Sequence, residues 1–235
     1  MPTIAVPRDD EQATTLVDGI RSALRAAADP TLAPGQQAYM KSAMPFLGVR
    51  VPEARRIART LAKEGQRDAA SLRAAALELW DAASHREERY AAMTLLALRP
   101  LRGDPELVPV VEHMVRTGQW WDYTDEVAHR MAELLDIRAP ETAEVIRRWS
   151  RDGDFWMRRV AIISQLGRGG RVDRALLEEV IAPNIADTEF FIRKAIGWAL
   201  REYARLDPEW VRDYVGAHDL SPLSRREALK HLGSG

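Results

Sequence analysis

The sequence predicts an all-α fold built from stacked helical repeats. Three observations predict it. Apolar residues recur at the helical period along almost the whole chain, in segments dominated by Ala, Leu, Arg and Glu. No stretch alternates apolar and polar residues for long enough to make a strand. The helical segments come in pairs of similar length, and the second member of each pair repeats a short pattern.

The helices follow in order. TLVDGIRSALRAAA (15–28) opens the array, and residues 1–35 are read as a first helix or pair. PEARRIARTLAKEG (52–65), AASLRAAALELWDAA (69–83) and EERYAAMTLLALRP (87–100) come next. DPELVPVVEHMVRT (104–117), EVAHRMAELL (126–135), PETAEVIRRWS (140–150) and RVDRALLEEVI (171–181) follow. Stops fall at Pro30, Gly65, Pro100, Gly103 and Pro140, residues that end or break helices. Asp104-Pro105 and Ser221-Pro222 read as an N-cap followed by proline at the first helical position.

The second helices contain ERYAAM, TDEVAH, RRVAII, IRKAIG and RREALK. Aligning the small residue two places after the charged one brings Arg89, Asp125, Arg159, Arg193 and Arg226 into register, 36, 34, 34 and 33 residues apart. Five units at so even a spacing predict a HEAT-like array, a curved solenoid with equivalent helices along one concave face. The whole chain, 1–235, is read as one such domain. Four of the five register positions are arginine and one is a carboxylate. A row of arginines is a track for a polyanion, and a carboxylate within it repels that ligand unless something else favours it.

Bulk composition fits a soluble globular chain: 235 residues, 46% hydrophobic and 29% charged. Lys and Arg number 34 against 35 Asp and Glu, a net charge of −1, so any basic surface must be local. Lysine occurs only at 41, 63, 194 and 230, which leaves arginine, with its forked donors, as the main cation. Cysteine is absent, which excludes disulfides and thiolate metal sites. No apolar run approaches the ~20 residues of a membrane span, and MPTIAVPRDDEQ lacks the parts of a signal peptide. A cytoplasmic protein, a monomer with no membrane partner, is expected.

GQWWDYTDEV (118–127) concentrates two tryptophans and two aspartates in one turn of chain. Two readings of Asp125 stand side by side. Asp122-Tyr-Thr-Asp125 has the spacing of a capping box, with Asp122 at the N-cap. Alternatively Asp125 is a catalytic carboxylate. Trp121 and Asp125, four apart, share a helix face, whereas Trp120 and Asp122 point elsewhere and are read as anchor and cap. Trp149, Trp156 and Trp198 recur near the arginines and are either core residues or rings interleaved with cations for sugars and bases. Trp156 precedes Arg159 by three and Trp198 follows Lys194 by four, so each pair shares a face. The histidines at 85, 113, 129, 218 and 231 have no metal-ligand spacing. GRGG (167–170) reads as a turn, and no nucleophile elbow is present. A hydrolase using one carboxylate and water is the simplest enzyme this chain could be.

QAYMKSAMPFLGVRVPEARRIAR (37–59), QWWDYTDEVA (119–128), DFWMRRVAIISQL (154–166), EFFIRKAIGWALREYARLDPEWVRDYV (189–215) and LSPLSRREALKHL (220–232) resemble the AlkD-like DNA alkylation repair glycosylases. The resemblance implies a HEAT-like solenoid gripping double-stranded DNA on its concave face. It also implies hydrolysis of the N-glycosidic bond of purines alkylated at N3 or N7, without metal or cofactor, leaving an abasic site. The lesion would stay largely within the duplex. By the Trp-Trp-Asp-x-x-Asp motif, Asp125 inherits the catalytic role. Trp121, Trp198, Arg159 and Tyr39 inherit contacts around the lesion nucleotide. Phe190, Phe191 and Arg201 match positions beside the DNA, and Arg193, Lys194 and Arg226 join them as phosphate-binding candidates. Tyr123-Thr124 departs from the smaller, more apolar pair expected between the aspartates, which bears on specificity. The rival is a non-catalytic HEAT-repeat module that binds DNA or protein.

Overall fold

A computed structural model of the chain describes residues 8–65 and 67–232. Among the described residues, regular structure is helical throughout: thirteen α-helices, three short 3₁₀ turns and no strand. The chain divides into two compact units, residues 1–107 and 108–235.

The first unit holds α1 (Arg8–Ala26), α2 (Ala33–Met40), α3 (Val51–Glu64), α4 (Ala69–Asp81) and α5 (Arg86–Leu96). In α1, Ala13, Leu16, Val17, Ile20 and Leu24 form one buried stripe at helical spacing, packed against α3 and α4. Asp68 caps α4 by accepting the Ser71 N–H at 2.8 Å. The first turn of α5 is unusual, because Arg86, Glu87 and Glu88 are all buried. Each is satisfied. Glu87, fully buried, accepts the N–H groups of Leu47, Gly48 and Val49 at 2.9–3.0 Å. Glu88 accepts from Arg21 at 3.1 Å and Ser84 at 2.7 Å. Arg86 donates to Tyr90 Oη and Ser42 Oγ, both at 3.1 Å. Glu87 thereby fixes the chain between α2 and α3. Gly48 sits there at φ +91°, where a Cβ would fall 1.9 Å from the Asp29 carbonyl oxygen.

Two expectations change in this unit. The helix expected over 87–100 stops at Leu96, and a 3₁₀ turn, Arg99–Leu101, takes in Pro100. Helix α2 carries both Pro and Gly and was not expected from the sequence; it ends on Lys41 in the left-handed region, φ 49°.

The second unit holds α6 (Leu107–Gly118), α7 (Trp121–Ile137), α8 (Ala139–Trp149), α9 (Phe155–Ile163), α10 (Arg174–Ile181), α11 (Phe190–Tyr203), α12 (Pro208–Ala217) and α13 (Pro222–Leu229). Asp154, Asp173, Asp207 and Ser221 cap α9, α10, α12 and α13, so the Ser221-Pro222 start is as expected. Asp104 is not an N-cap. Its carboxylate accepts the Glu106 N–H at 3.0 Å in a turn, pairs with Arg73, and leaves the helix to begin at Leu107.

Helices α7, α9, α11 and α13 pack in series, each on the next, with α8, α10 and α12 packed alongside them. The repeat register is therefore real in space. Asp125, Arg159, Arg193 and Arg226 lie on these four helices, each at the fourth or fifth residue, and Arg89 is the fourth residue of α5 in the first unit. Trp149 is fully buried and Trp156 nearly so, at 1% and 4% exposure. Both are core residues rather than rings lining a groove. Burying a large apolar side chain contributes about 1.5–3 kcal/mol, and these two hold α8 and α9 in the stack.

Candidate active site

The α6–α7 corner sets the geometry. Gln119 follows α6 with φ 43°, a left-handed conformation more often given to glycine. Trp120 is then extended and forms the N-cap of α7, whose carbonyl receives Thr124 N–H at 3.1 Å and Thr124 Oγ1 at 3.0 Å. The helix starts at Trp121, five residues before the sequence periodicity announces it. Asp122 is consequently inside the first turn. It accepts the N–H of the adjacent Tyr123 at 3.0 Å and does not cap the helix.

The capping-box geometry is thus not formed at Asp125. Its carboxylate instead meets Arg159 of α9 in a forked pair, Nε to Oδ1 at 2.8 Å and Nη2 to Oδ2 at 2.9 Å. The third arm of the fork, Nη1, donates to the Phe191 carbonyl oxygen at 2.6 Å. One guanidinium ties together α7, α9 and the first turn of α11. The Arg159 side chain is 6% exposed and that of Asp125 17%, so the carboxylate keeps the more open position of the two. Burial pushes the Asp125 carboxyl above the ordinary aspartate range. The Arg159 hydrogen bonds and charge oppose that shift, as does His129, while the Asp122 charge adds to it.

An aromatic cluster stands against this pair. Phe191 packs on Trp156 with centroids 4.8 Å apart and on Trp120 at 6.1 Å, and Trp156 touches Phe155 at 4.7 Å. The Arg159 guanidinium carbon lies 5.8 Å from the Phe191 ring centre. Phe190 leans edge-on against Phe191 at 5.3 Å and is itself 55% exposed. The site therefore sets one polar pair, Asp125 and Arg159, beside an apolar cluster drawn from α9, α11 and the N-cap of α7.

Of the residues singled out from the sequence, Asp125, Arg159 and Phe191 are brought into direct contact. Trp121 is half-buried one helical turn before Asp125, on the same face of α7. Trp198 is half-buried on α11, two turns beyond Phe191. Tyr39 belongs to the first unit, on α2, and is 77% exposed. Arg193 is half-buried and its Nε donates to the Asp187 carbonyl at 2.9 Å. Lys194 and Arg201 both pair with Glu227, at 3.0 and 2.5 Å, and Arg226 is exposed. The arginine row of the sequence is thus a set of engaged side chains with one exposed member, Arg226, at its end in the second unit.

Sequence reasoning missed the parts set by partners. The Phe191 carbonyl carries no local signal. Asp125–Arg159 and Lys194–Glu227 do carry one, because 34 and 33 residues are the repeat spacing, and equivalent positions of stacked repeats are neighbours. Among the described residues, no group of three or more His, Cys, Asp or Glu could hold a metal, and no helix is long and apolar enough to cross a membrane.

Comparison with known proteins gives a consistent answer. A solved structure from Enterococcus faecalis, described as a predicted DNA alkylation repair enzyme, is 29% identical with a TM-score of 0.79; the match covers 88% of this chain and 98% of that one. AlkD2 from Streptococcus mutans is 19% identical with a TM-score of 0.63, over 79% and 92% of the two chains. The protein smu.31 from Streptococcus mutans UA159 is 20% identical with a TM-score of 0.61, over 77% and 92%. At those identities the two streptococcal structures speak for the helical-repeat fold alone. No curated protein sequence matches the chain. Residues 20–232 match the family described as DNA alkylation repair enzyme, and the chain belongs to that family.

Proposed function

We propose that the chain is a monofunctional DNA glycosylase that hydrolyses the N-glycosidic bond of cationic N3- or N7-alkylated purines in double-stranded DNA, leaving an abasic site. One observation carries this reading. The register position that is arginine in the other repeats is here a carboxylate, held in fixed orientation by a forked arginine and still open on one side.

The chemistry asks little more. An N3- or N7-alkylpurine is already positively charged. When the C1′–N bond breaks, its electron pair goes to the base, which leaves neutral without a general acid. The sugar is left with oxocarbenium character, as in other glycoside hydrolysis. A carboxylate beside C1′ stabilises that cation and can accept the proton of the water that adds to it. Arg159 lowers the carboxyl pKa against the effect of burial and so favours the ionised form the reaction needs. Trp121 and Trp198 supply ring faces that attract the positive base and sugar. Arg193, Lys194, Arg201 and Arg226, with Phe190 and Phe191, supply the grip on the duplex. The enzyme acts as a monomer in the cytoplasm, needs no cofactor, and holds the lesion largely within the duplex.

The test is base release from a duplex bearing one N7-methylguanine, wild type beside Asp125→Asn. Asparagine keeps an acceptor for Arg159 but no charge. We expect release to fall at least a hundredfold, the scale of losing one electrostatic stabiliser, with the helical circular dichroism unchanged. An Asp125→Asn variant as active as wild type overturns the catalytic role of Asp125, and a wild type that releases no base leaves a binding module.

A further inference from the structure

We propose that Glu227 is an internal competitor for DNA: its carboxylate occupies, in the free protein, the seat between Lys194 and Arg201 that a backbone phosphate takes on binding. The proposal rests on the reading of α11 as part of the DNA interface.

The geometry of α11 and α13 points to it. Lys194 and Arg201 are seven residues apart, two turns of one helix and hence on one face. Between them is Gly197, the one position of that stripe with no side chain. A Cβ there would fall 2.5 Å from the Glu227 Cβ and 2.8 Å from the Ser224 carbonyl oxygen. The glycine is therefore a notch into which α13 settles, with Ser224 Oγ donating to the Arg193 carbonyl at 2.9 Å to hold the approach. The notch puts the Glu227 carboxylate between the two cations. Oε1 meets Lys194 at 3.0 Å and Oε2 meets Arg201 at 2.5 Å. Each oxygen of one anion thus takes one cation. Two non-bridging oxygens of a phosphodiester present nearly the same span and the same charge, so a phosphate can replace the carboxylate oxygen for oxygen.

The three side chains are accessible enough for exchange, with 37%, 22% and 14% of Lys194, Arg201 and Glu227 exposed. The Lys194 and Arg201 hydrogen bonds hold the Glu227 carboxyl below the ordinary glutamate range, so it is ionised at neutral pH. The triad then carries a net charge of +1 where two free cations would carry +2. Any duplex that uses the seat must first displace Glu227, and the hold on undamaged DNA is weaker for it.

The test uses the full chain and a short unmodified duplex, with affinity read by fluorescence anisotropy across a salt series. Glu227→Gln should bind about three- to tenfold tighter at low salt, and its plot of log K against log salt should steepen by about one unit, the effect of roughly one more phosphate contact. Glu202→Gln is the control for plain loss of negative charge, because Glu202 lies on α11 next to Arg201 but pairs with Arg205 at 3.1 Å. It should move neither quantity as far. In a Lys194→Ala/Arg201→Ala background, Glu227→Gln should have no effect. Tightening that persists in that background, or that Glu202→Gln reproduces, overturns the competitor role. So does a Glu227→Gln variant that is folded by circular dichroism and binds no tighter than wild type. If the wild type binds duplex without salt dependence, the DNA reading of α11 fails and takes the proposal with it; if the wild type binds normally and only the variant fails to respond, this proposal alone falls.

Discussion

Gly197→Ala is the sharpest structural test, because two opposing effects at that position have known sizes. In an isolated helix, replacing glycine with alanine stabilises by about 1 kcal/mol. In the protein the new methyl would lie 2.5 Å from Glu227 Cβ, 2.8 Å from the Ser224 carbonyl oxygen and 3.3 Å from Ser224 Cα. Carbon atoms pack at about 3.5–4.0 Å, so α13 must retreat by about 1 Å. No rotamer change relieves a clash with a carbonyl and a Cβ. Retreat loosens Ser224 and Ala228, which are buried at 1% and 0% exposure. Overpacking of this kind costs about 1–3 kcal/mol, and the upper half of that range applies where the backbone itself must move. The net expectation is a loss of about 1–2 kcal/mol. For a chain of 150–250 residues that lowers the melting temperature by about 2–8 °C. The assay is urea and thermal denaturation followed by helical circular dichroism. Gly216→Ala on α12 is the matched control, since a Cβ there meets nothing within 4 Å. It should gain up to about 1 kcal/mol. If Gly197→Ala is as stable as Gly216→Ala, the notch reasoning is wrong.

Other consequences follow from residues already placed. The Asp125 carboxyl is raised above its ordinary value, so the rate of base release should fall as pH drops through that raised value, and Arg159→Ala, which removes the opposing influence, should move this acid limb to higher pH; a limb that stays put in the variant would show that another group titrates. The same raised pKa carries a sign for stability: the protonated form is favoured in the folded state, so the contribution of Asp125 is full below its unfolded pKa and is lost as pH rises through the folded one, and Asp125→Asn should flatten that part of the curve. Glu87→Ala leaves the N–H groups of Leu47, Gly48 and Val49 without their buried acceptor and should cost about 3 kcal/mol or more, with Glu87→Gln milder because it keeps an acceptor oxygen; denaturant midpoints decide it. Gln119→Gly relieves a left-handed residue at φ 43° and should stabilise by about 1 kcal/mol in the same assay.

How much of this was legible beforehand depended on how far apart the determining residues lie. The helices that became α3, α4 and α8 show in the sequence because their buried faces repeat every three to four residues, and α13 shows its start because Ser221 and Pro222 are adjacent. Helix α2 does not, since APGQQAYM has no apolar stripe and contains both common breakers. The register gave more than helices: residues one repeat apart stack, and so the sequence carried Asp125 beside Arg159. It could not carry Asp122 as a first-turn residue. The cap position turns on the backbone of Gln119 and Trp120, and Asp122-Tyr-Thr-Asp125 satisfies the capping spacing equally well one register away. Glu227 lies 33 residues from Lys194, one repeat interval, so that pair was legible in the same way; its reach to Arg201, 26 residues away, was not, and depends on the missing side chain of Gly197. The fate of Trp149 and Trp156 was illegible for a similar reason. Large rings at helical spacing suit a core and a groove alike, and only the packing of α8 and α9 separates the two.

The third arm of Arg159 has a kinetic consequence. With Nη1 fixed on the Phe191 carbonyl and the other two nitrogens on Asp125, the guanidinium has no free rotation, and neither carboxylate oxygen can turn away from its donor. In the proposed reaction, the ordering of charge that bond cleavage requires is then complete before substrate arrives. Little of the barrier should then be entropic, and the temperature dependence of base release should show an activation entropy close to zero, set by the sugar and the water and not by rearrangement of the protein.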